Sequence, residues 1–261
     1  MDTQKAAKYI HDALTRCQRH KDFFEKLRSV HYATLDDLSL LEIWQGLIDN
    51  FAYSVAYFRG TQEEPSRKLA AKLSSLLSPE EVADIFISPD LDEINKEEVA
   101  WEQLFAGGFT TKKALHHLAA FPWLFQNRLH YHETVDELRQ RAHTHSSRDI
   151  RKEKESLLYR QQLILTKFPQ LQEYITLVQQ LALLRPAIKA CWASTGYFAI
   201  PLLQEVAKRY GIDSETLIFF YRSEDIENLL TSRHVLTNQE IAARKLCTVY
   251  QVVEGRMMRF V

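Results

Sequence analysis

Glycine and proline are scarce in this chain, and their scarcity constrains the fold more than any other feature of the sequence. Each occurs 7 times in 261 residues, roughly half of what average usage would give. These two residues are the ones that most often interrupt regular backbone structure. Few interruptions over this length are typical of long helices, and 46% hydrophobic residues are enough to bury a core between them.

Apolar residues recur at three- and four-residue steps through most of the chain, which is the period of an amphipathic helix. Residues 6–27 and 38–58 show this period, and Gly60 suits the end of the second segment. Ser78 followed by Pro79 predicts a helix start, with serine as the N-cap and proline in the first turn. The pattern therefore predicts a bundle of several helices.

A longer helical pattern covers residues 170–192 and contains Pro186. A proline inside a helix predicts either a kink or a local opening of the hydrogen bonds. Gly196 then indicates a break, and residues 201–210 read as a new helix that ends at Gly211. Further helix starts are predicted from capping residues at Asn95, Thr111, Thr134, Ser223 and Thr237.

The chain changes character after about residue 246. Residues 247–253 are β-branched and aromatic, Glu254-Gly255 is suited to a turn, and residues 257–261 can form the returning strand. We therefore predict an all-α multi-helix bundle with a short β-hairpin at the C-terminus.

The polar stretch at residues 143–155 bears on the domain organisation. It reads either as a linker or as an exposed helical stretch, and the helical period that continues from residue 153 favours a helix for its second part. We predict an N-terminal helical region at 1–145 and a C-terminal region at 146–261, with one continuous domain as the alternative.

The charge balance argues against nucleic acid or membrane partners. The chain has 33 basic and 34 acidic residues, a formal net charge of −1, and no apolar run of about 18 residues that would span a bilayer. Its first residues are charged and amphipathic, so we expect no secretory signal. Three widely spaced cysteines, Cys17, Cys191 and Cys247, are typical of a reducing compartment, and we predict the cytoplasm.

Histidines are the most evident candidates for metal ligands. Six lie between residues 116 and 145: His116, His117, His130, His132, His143 and His145. Alternate residues on a helix do not face one another, and no H-E-x-x-H pattern occurs, so we predict no metal site. A helical enzyme that uses these histidines with a metal remains the weakest alternative.

Other chemical motifs are also absent from the sequence. A nucleophile elbow, a phosphate-binding glycine loop and a dinucleotide fingerprint do not occur, so we predict no catalytic residues. Residues 148–160 carry a run of alternating charges, with the cations Arg148, Arg151, Lys152, Lys154 and Arg160. Acids interleave with them, which favours a solvated helix face over a phosphate or nucleic-acid patch.

The second half of the chain contains an ordered series of short sequence motifs. Its members are 183–186 (LLRP), Trp192, Gly196-Tyr197, 201–209 (PLLQEVAKR), 219–221 (FFY), 223–226 (SEDI), 241–245 (IAARK) and 254–256 (EGR). The series resembles the helical middle region of phosphoenolpyruvate-utilising enzymes, the relatives of phosphoenolpyruvate synthase and pyruvate phosphate dikinase. Residues 115–124 (LHHLAAFPWL) are compatible with an upstream part of the same region.

The resemblance implies a role without chemistry of its own. In that family an ATP-grasp domain binds ATP, and a mobile domain carries a phosphorylated histidine in a Thr-Ser-His motif; this chain has neither a glycine-rich nucleotide loop nor that motif. It is therefore expected to be a linker or scaffold module that meets ATP and magnesium only through partner domains. We expect a fragment, a degenerate relative or one subunit of a split phosphotransferase. A stand-alone helical protein-interaction module is the alternative.

Four residues are candidates for an interface or cleft: Arg185, Trp192, Tyr197 and Arg209. The resemblance implies that Arg185 faces a central cleft or a neighbouring domain. A buried arginine must be paired, so a structural ion pair is the simpler interpretation of this residue in its apolar helix. Trp192 and Tyr197 are most simply core aromatics, and Cys191 is interpreted as a small buried hydrophobe.

Overall fold

The computed structural model of the chain describes residues 3–60, 70–71, 73–125, 128, 130–144, 148–246, 249–253 and 256–260. Eleven α-helices are bounded within these residues, which confirms the all-α helical bundle. They are α1 (Thr3–Leu27), α2 (Asp37–Gly60), α3 (Pro79–Ile85), α4 (Glu93–Phe105), α5 (Thr111–Ala120), α6 (Tyr131–Thr144), α7 (Ile150–Lys167), α8 (Gln172–Tyr210), α9 (Ser214–Phe220), α10 (Ser223–Ser232) and α11 (Asn238–Leu246). Within the described residues, no helix combines the length and apolar character needed to cross a bilayer.

The chain divides into two compact units. The first contains residues 1–28 and 50–197, and the second contains residues 29–49 and 198–261. Helices α2 and α8 contribute residues to both units. The boundary predicted between residues 145 and 146 falls within 145–147, outside the described residues, so it stays a prediction.

Apolar clusters form the core of the first unit. Helix α1 packs against α8 around Ile10 and Leu184. Helices α3, α7 and α8 meet around Ile85 and Ile164, and α4, α5 and α6 meet around Trp101. The three- and four-residue apolar spacing of the helices explains these contacts, because it places the large side chains on one face.

The second unit has its own buried core. Leu40 and Leu47 of α2, Leu202 and Val206 of α8, and Leu217 of α9 each have 0% exposed surface. Burying a leucine or valine side chain contributes about 1.5–3 kcal/mol. Apolar burial on three helices therefore stabilises this unit.

Helix α8 is longer than the sequence predicts. It runs without interruption for 39 residues and includes Pro186, Gly196 and Pro201. The predicted break at Gly196 and the predicted new helix start at Pro201 are therefore wrong. A proline inside a helix costs about 3 kcal/mol, and the complete burial of Leu202 and Val206 beside Pro201 offsets that cost by fixing the helix through packing.

Several predicted helix ends are confirmed because their hydrogen bonds are local. The Ser78 hydroxyl accepts from the Glu81 backbone N–H at 3.2 Å, and the Glu81 carboxylate accepts from the Ser78 N–H at 2.8 Å. Thr237 and Glu240 form the same reciprocal box. Gly211 ends α8 with a φ of +65°, in the left-handed region that glycine adopts readily.

Other predicted helix starts are displaced. Asp92, and not Asn95, caps α4, because its carboxylate accepts from the Asn95 backbone N–H at 2.8 Å. Thr110 caps α5, one residue before the predicted Thr111. The capping box predicted at Thr134 is wrong: α6 already begins three residues earlier, and Thr134 is buried inside it.

The C-terminal segment contains the strands β1 (Val249–Val253) and β2 (Arg256–Phe260), paired antiparallel with Val249 opposite Phe260. The turn predicted at Glu254-Gly255 lies outside the described residues. The terminal hairpin as a whole therefore stays a prediction.

Candidate functional site

Arg209 lies in the last turn of α8, in the second unit, and all parts of its guanidinium are engaged. Its Nε donates to Glu205 at 2.8 Å, Nη1 donates to Asp37 at 3.1 Å, and Nη2 donates to the Tyr32 carbonyl at 2.9 Å. The Tyr210 hydroxyl donates to the same Asp37 carboxylate at 2.8 Å. The hydrogen bonds to the carboxylates of Glu205 and Asp37 raise the pKa of Arg209. The side chain links the end of α8 to Tyr32 and Asp37, and each of its three nitrogens already donates to a protein acceptor.

Arg185 is exposed. The prediction that this arginine is buried and paired with an acid is therefore wrong. Its guanidinium carbon lies 5.5 Å from the centre of the Phe58 ring. Trp192 is half-buried, with its ring 5.8 Å from Phe58 and 6.1 Å from Phe51. Water hydrates the guanidinium at this position, and the ring face supplies a cation–π contact, so no buried acid is required.

Tyr197 belongs to a separate aromatic group of the first unit. Its ring lies 5.8 Å from Phe125, edge to face, and 5.4 Å from Tyr131. Burial raises the pKa of Tyr197. Of the four candidates, the structure thus connects Arg185 and Trp192 through Phe58, whereas Tyr197 and Arg209 lie in other surroundings.

The six histidines between residues 116 and 145 were the candidates for metal ligands, and the structure buries one of them. His117 is 1% exposed, whereas His116, His130, His132 and His143 are exposed and His145 lies outside the described residues. Among the described residues, no group of three or more histidine, cysteine, aspartate or glutamate side chains is placed to hold a metal ion.

His117 forms a buried polar cluster with Glu97 of α4 and Arg141 of α6. Its Nε2 lies 2.6 Å from Glu97 Oε1, and Arg141 Nη1 donates to the same oxygen at 2.7 Å. The Arg141 guanidinium also lies 4.1 Å from the centre of the Trp101 ring. Burial alone would raise the pKa of Glu97, but the hydrogen bonds from His117 and Arg141 lower it overall. A buried carboxylate needs such partners.

A histidine oriented by a carboxylate also occurs in catalytic sites, but the surroundings of His117 point to a structural role. Its ring meets Trp101 at 5.5 Å and Phe121 at 4.9 Å, and its side chain is almost fully buried, so a substrate has no path to it. The signal for this cluster was present in the sequence: Glu97 precedes Trp101 by four residues, which places an acid on the apolar face of α4.

We expect Glu97→Gln to lower the free energy of unfolding by about 2 kcal/mol, because it weakens two charge-assisted hydrogen bonds in a buried place. The matched control is Glu98→Gln. Glu98 binds Arg141 Nη2 at 2.6 Å but is 20% exposed, so its loss should cost less than about 1 kcal/mol. Urea unfolding of both variants measures the difference, and equal effects would contradict the structural role of Glu97.

Four of the five cations in the alternating run line a groove of about 610 Å³ together with acids: Arg148, Lys152, Lys154 and Arg160. Arg160 donates to both oxygens of Asp84 at 2.7 and 2.9 Å. Arg148 donates to Glu153 at 2.6 Å, and Lys154 donates to a backbone carbonyl at 2.7 Å. Two of these four cations are therefore paired with acids, and a third binds a backbone carbonyl.

Cys17 and Cys191 lie side by side in the core between α1 and α8, as free thiols. The Cys191 Sγ lies 3.7 Å from the Cys17 carbonyl oxygen. The hydrogen bond to Cys17, together with burial, holds the pKa of Cys191 well above its usual value. A thiol that stays protonated is a poor nucleophile, and the burial predicted for Cys191 is confirmed. Its proximity to Cys17, 174 residues away, was not predictable from spacing.

A buried ion pair joins Asp225 of α10 to Arg244 of α11 in the second unit, with side chains 7% and 4% exposed. Arg244 Nη1 donates to Asp225 Oδ2 at 2.5 Å, and Nη2 donates to Oδ1 at 3.2 Å. Arg244 also donates to the Phe220 carbonyl at 2.5 Å. Burial alone would raise the pKa of Asp225, but bonds from Arg244 and from the Arg222 backbone N–H lower it to about 2.

The clusters of both units have one property in common: their charged groups bind partners within the chain, although the buried Nε of Arg244 has no hydrogen-bond partner among the described residues. Such arrangements hold helices in position, and they leave few hydrogen-bonding groups that could bind a substrate. In comparisons with protein-family models, curated proteins and solved structures, the chain has no match.

Proposed function

We propose that the chain is a helical scaffold module of a phosphoenolpyruvate-utilising, phosphotransferase-like system in the cytoplasm. It works with separate nucleotide-binding and phosphohistidine domains and is not catalytic alone. ATP and magnesium bind to those domains, and this chain supplies a rigid helical connection between them. In this proposal residues 247–261 close as a hairpin, with β1 and β2 joined by a turn at Glu254-Gly255.

The observation that carries the proposal is the ion pair between Asp225 and Arg244. Asp225 belongs to the motif at residues 223–226, and Arg244 belongs to the motif at 241–245. Both motifs are part of the series that resembles phosphoenolpyruvate-utilising enzymes. The buried salt bridge joins two members of the series directly. This contact supports treating the series as one structural region, which the scaffold role requires.

The test begins with the protein region encoded next to this chain. The chain and that region are expressed together, purified, and incubated with magnesium and ATP labelled at either the β- or the γ-phosphate. We expect the two to co-purify, and we expect an acid-labile, base-stable phosphohistidine on the neighbouring region only. A label on this chain, or an adjoining region without phosphohistidine and nucleotide-binding domains, would overturn the proposal.

A stand-alone interaction module is the second candidate, and two exposed apolar residues on α7 favour it. Tyr159 is 63% exposed and Leu163 is 53% exposed; they lie four residues apart, on one side of the helix. The partner suited to this face is an amphipathic helix with apolar residues at the same spacing. Helical peptides selected by display should lose binding to a Tyr159→Ser, Leu163→Ser double variant and keep it with Lys112→Ser. Retained binding to the double variant would exclude this face.

A further inference from the structure

A cavity of about 160 Å³ lies in the first unit, bounded by α1, α4, α8 and residues 120–123. Phe24, Phe121 and Pro122 provide apolar walls. A cavity of about 150 Å³ in another protein accommodates benzene, so this one has room for a molecule of similar size. Two residues described above, Phe121 and Cys191, also line this cavity.

One wall of the cavity carries an unsatisfied donor. The Trp123 Nε1 atom is buried and has no hydrogen-bond acceptor among the described residues, and Trp123 lines the cavity. The indole nitrogen can only donate, so only an acceptor can satisfy it. Ser194, which also lines the cavity, already donates its hydroxyl to the Ala190 carbonyl at 2.7 Å.

The charged side chains that line the cavity are two cations and two acids. Lys21, which lines the cavity, and Lys96 both lie 3.0 Å from the same oxygen of Glu93. Two ammonium groups therefore share one carboxylate. The other cation of the lining, Arg28, is paired with Glu25 at 2.8 Å. The Lys21 ammonium has three N–H donors, and its hydrogen bond to Glu93 uses one of them, so it can also donate to an acceptor on a ligand.

We infer that this cavity binds a small monocarboxylate no larger than benzoate. The carboxylate accepts hydrogen bonds from Trp123 Nε1 and from the Lys21 ammonium, and the apolar part of the ligand packs against Phe24 and Phe121. A carboxylate has two acceptor oxygens, so one ligand group can accept from the orphaned indole donor and from the ammonium at the same time. This site is independent of the scaffold role proposed above, because it involves neither the ion pair of the second unit nor a partner domain.

The experiment follows the indole N–H resonances of the full chain in ¹⁵N-correlated NMR spectra during titration with acetate, isobutyrate and benzoate. Trp123→Phe retains an aromatic ring, removes the donor, and assigns its resonance by the signal that disappears. We expect a saturable shift of the Trp123 resonance with at least one carboxylate, while the resonances of Trp44 and Trp101 remain in place. Benzamide, the neutral analogue of benzoate, should bind at least about tenfold more weakly, or about 1.4 kcal/mol.

Two variants separate the parts of the inference. Trp123→Phe and Lys21→Met should each weaken carboxylate binding at least about tenfold, measured by calorimetry. Lys8→Met is the matched control, because Lys8 is an exposed lysine on the same helix, and it should bind as the parent does. The unchanged indole resonances of the other tryptophans show that each variant is folded. No saturable shift with any of the three carboxylates, equal binding of benzamide, or undiminished binding by Trp123→Phe would overturn the inference.

Discussion

Replacing Arg244 with alanine should lower the free energy of unfolding by about 3–5 kcal/mol, because it leaves the Asp225 carboxylate buried and without its cation. The 4% exposure of Arg244 means that water cannot readily take the place of the guanidinium. The Phe220 carbonyl loses a donor in the same variant. Equilibrium unfolding in urea, followed by circular dichroism, measures the effect as a shift of the midpoint.

Matched variants distinguish the buried pair from a general effect of charge. Lys245→Ala removes a neighbouring cation from α11 that is exposed, and it should change stability by less than about 0.5 kcal/mol. Asp225→Asn combined with Arg244→Met removes both charges, so it should be less destabilised than Arg244→Ala alone. An Arg244→Ala protein within about 0.5 kcal/mol of the parent would show that the pair contributes little.

The same pair has a defined pH dependence. The pKa of Asp225 is lowered from 3.8 to about 2 in the folded protein, so the folded state binds this proton less readily than the unfolded state. The stabilisation is therefore complete above pH 3.8 and is lost as the pH falls towards 2. Asp225→Asn should remove this component from the acid unfolding curve.

The sequence predicts well those features whose causes are local. Each capping box, at Ser78 with Glu81 and at Thr237 with Glu240, depends on two residues three apart, so the pattern contains all the information required. Thr134 matches the same pattern but lies inside α6, because its packing in the core prevails over its capping preference. A cap signal therefore identifies a helix start only where the chain on its N-terminal side is not itself helical.

Features that depend on packing were not predictable in the same way. The continuity of α8 through Pro201 depends on the burial of Leu202 and Val206 by other segments, which no local pattern encodes. The exposure of Arg185 likewise follows from the face of α8 on which it lies. Pairs such as Asp225 with Arg244 join residues 19 apart in the sequence, and spacing alone gives no reason to connect them.

His20 should make the stability of the first unit depend on pH over a range in which carboxylates are mostly ionised. Its side chain is 1% exposed, Nδ1 lies 3.1 Å from the Ser54 hydroxyl, and Nε2 has no hydrogen-bond partner among the described residues. Burial, with the nearby cation of Arg16, lowers the pKa of His20 from 6.5 to about 4. The imidazole is therefore neutral in the folded protein at pH 7.

The direction of the effect follows from where the proton binds. Between pH 6.5 and about 4 the unfolded chain protonates this histidine more readily than the folded protein does. Stability is therefore complete above pH 6.5 and decreases as the pH falls to about 4. A pKa difference of this size corresponds to about 3 kcal/mol, since each pKa unit is worth about 1.4 kcal/mol.

His20→Gln removes the titrating group and retains a side chain that can bind the Ser54 hydroxyl. We expect urea midpoints measured from pH 7 to pH 4 to decline less in this variant than in the parent, by an amount that corresponds to about 3 kcal/mol at the acid end. His11→Gln is the matched control, because His11 lies on the same helix but is exposed, and it should reproduce the parent profile. A His20→Gln profile that falls as steeply as the parent would mean that the buried imidazole accepts its proton without opening the core between α1 and α2.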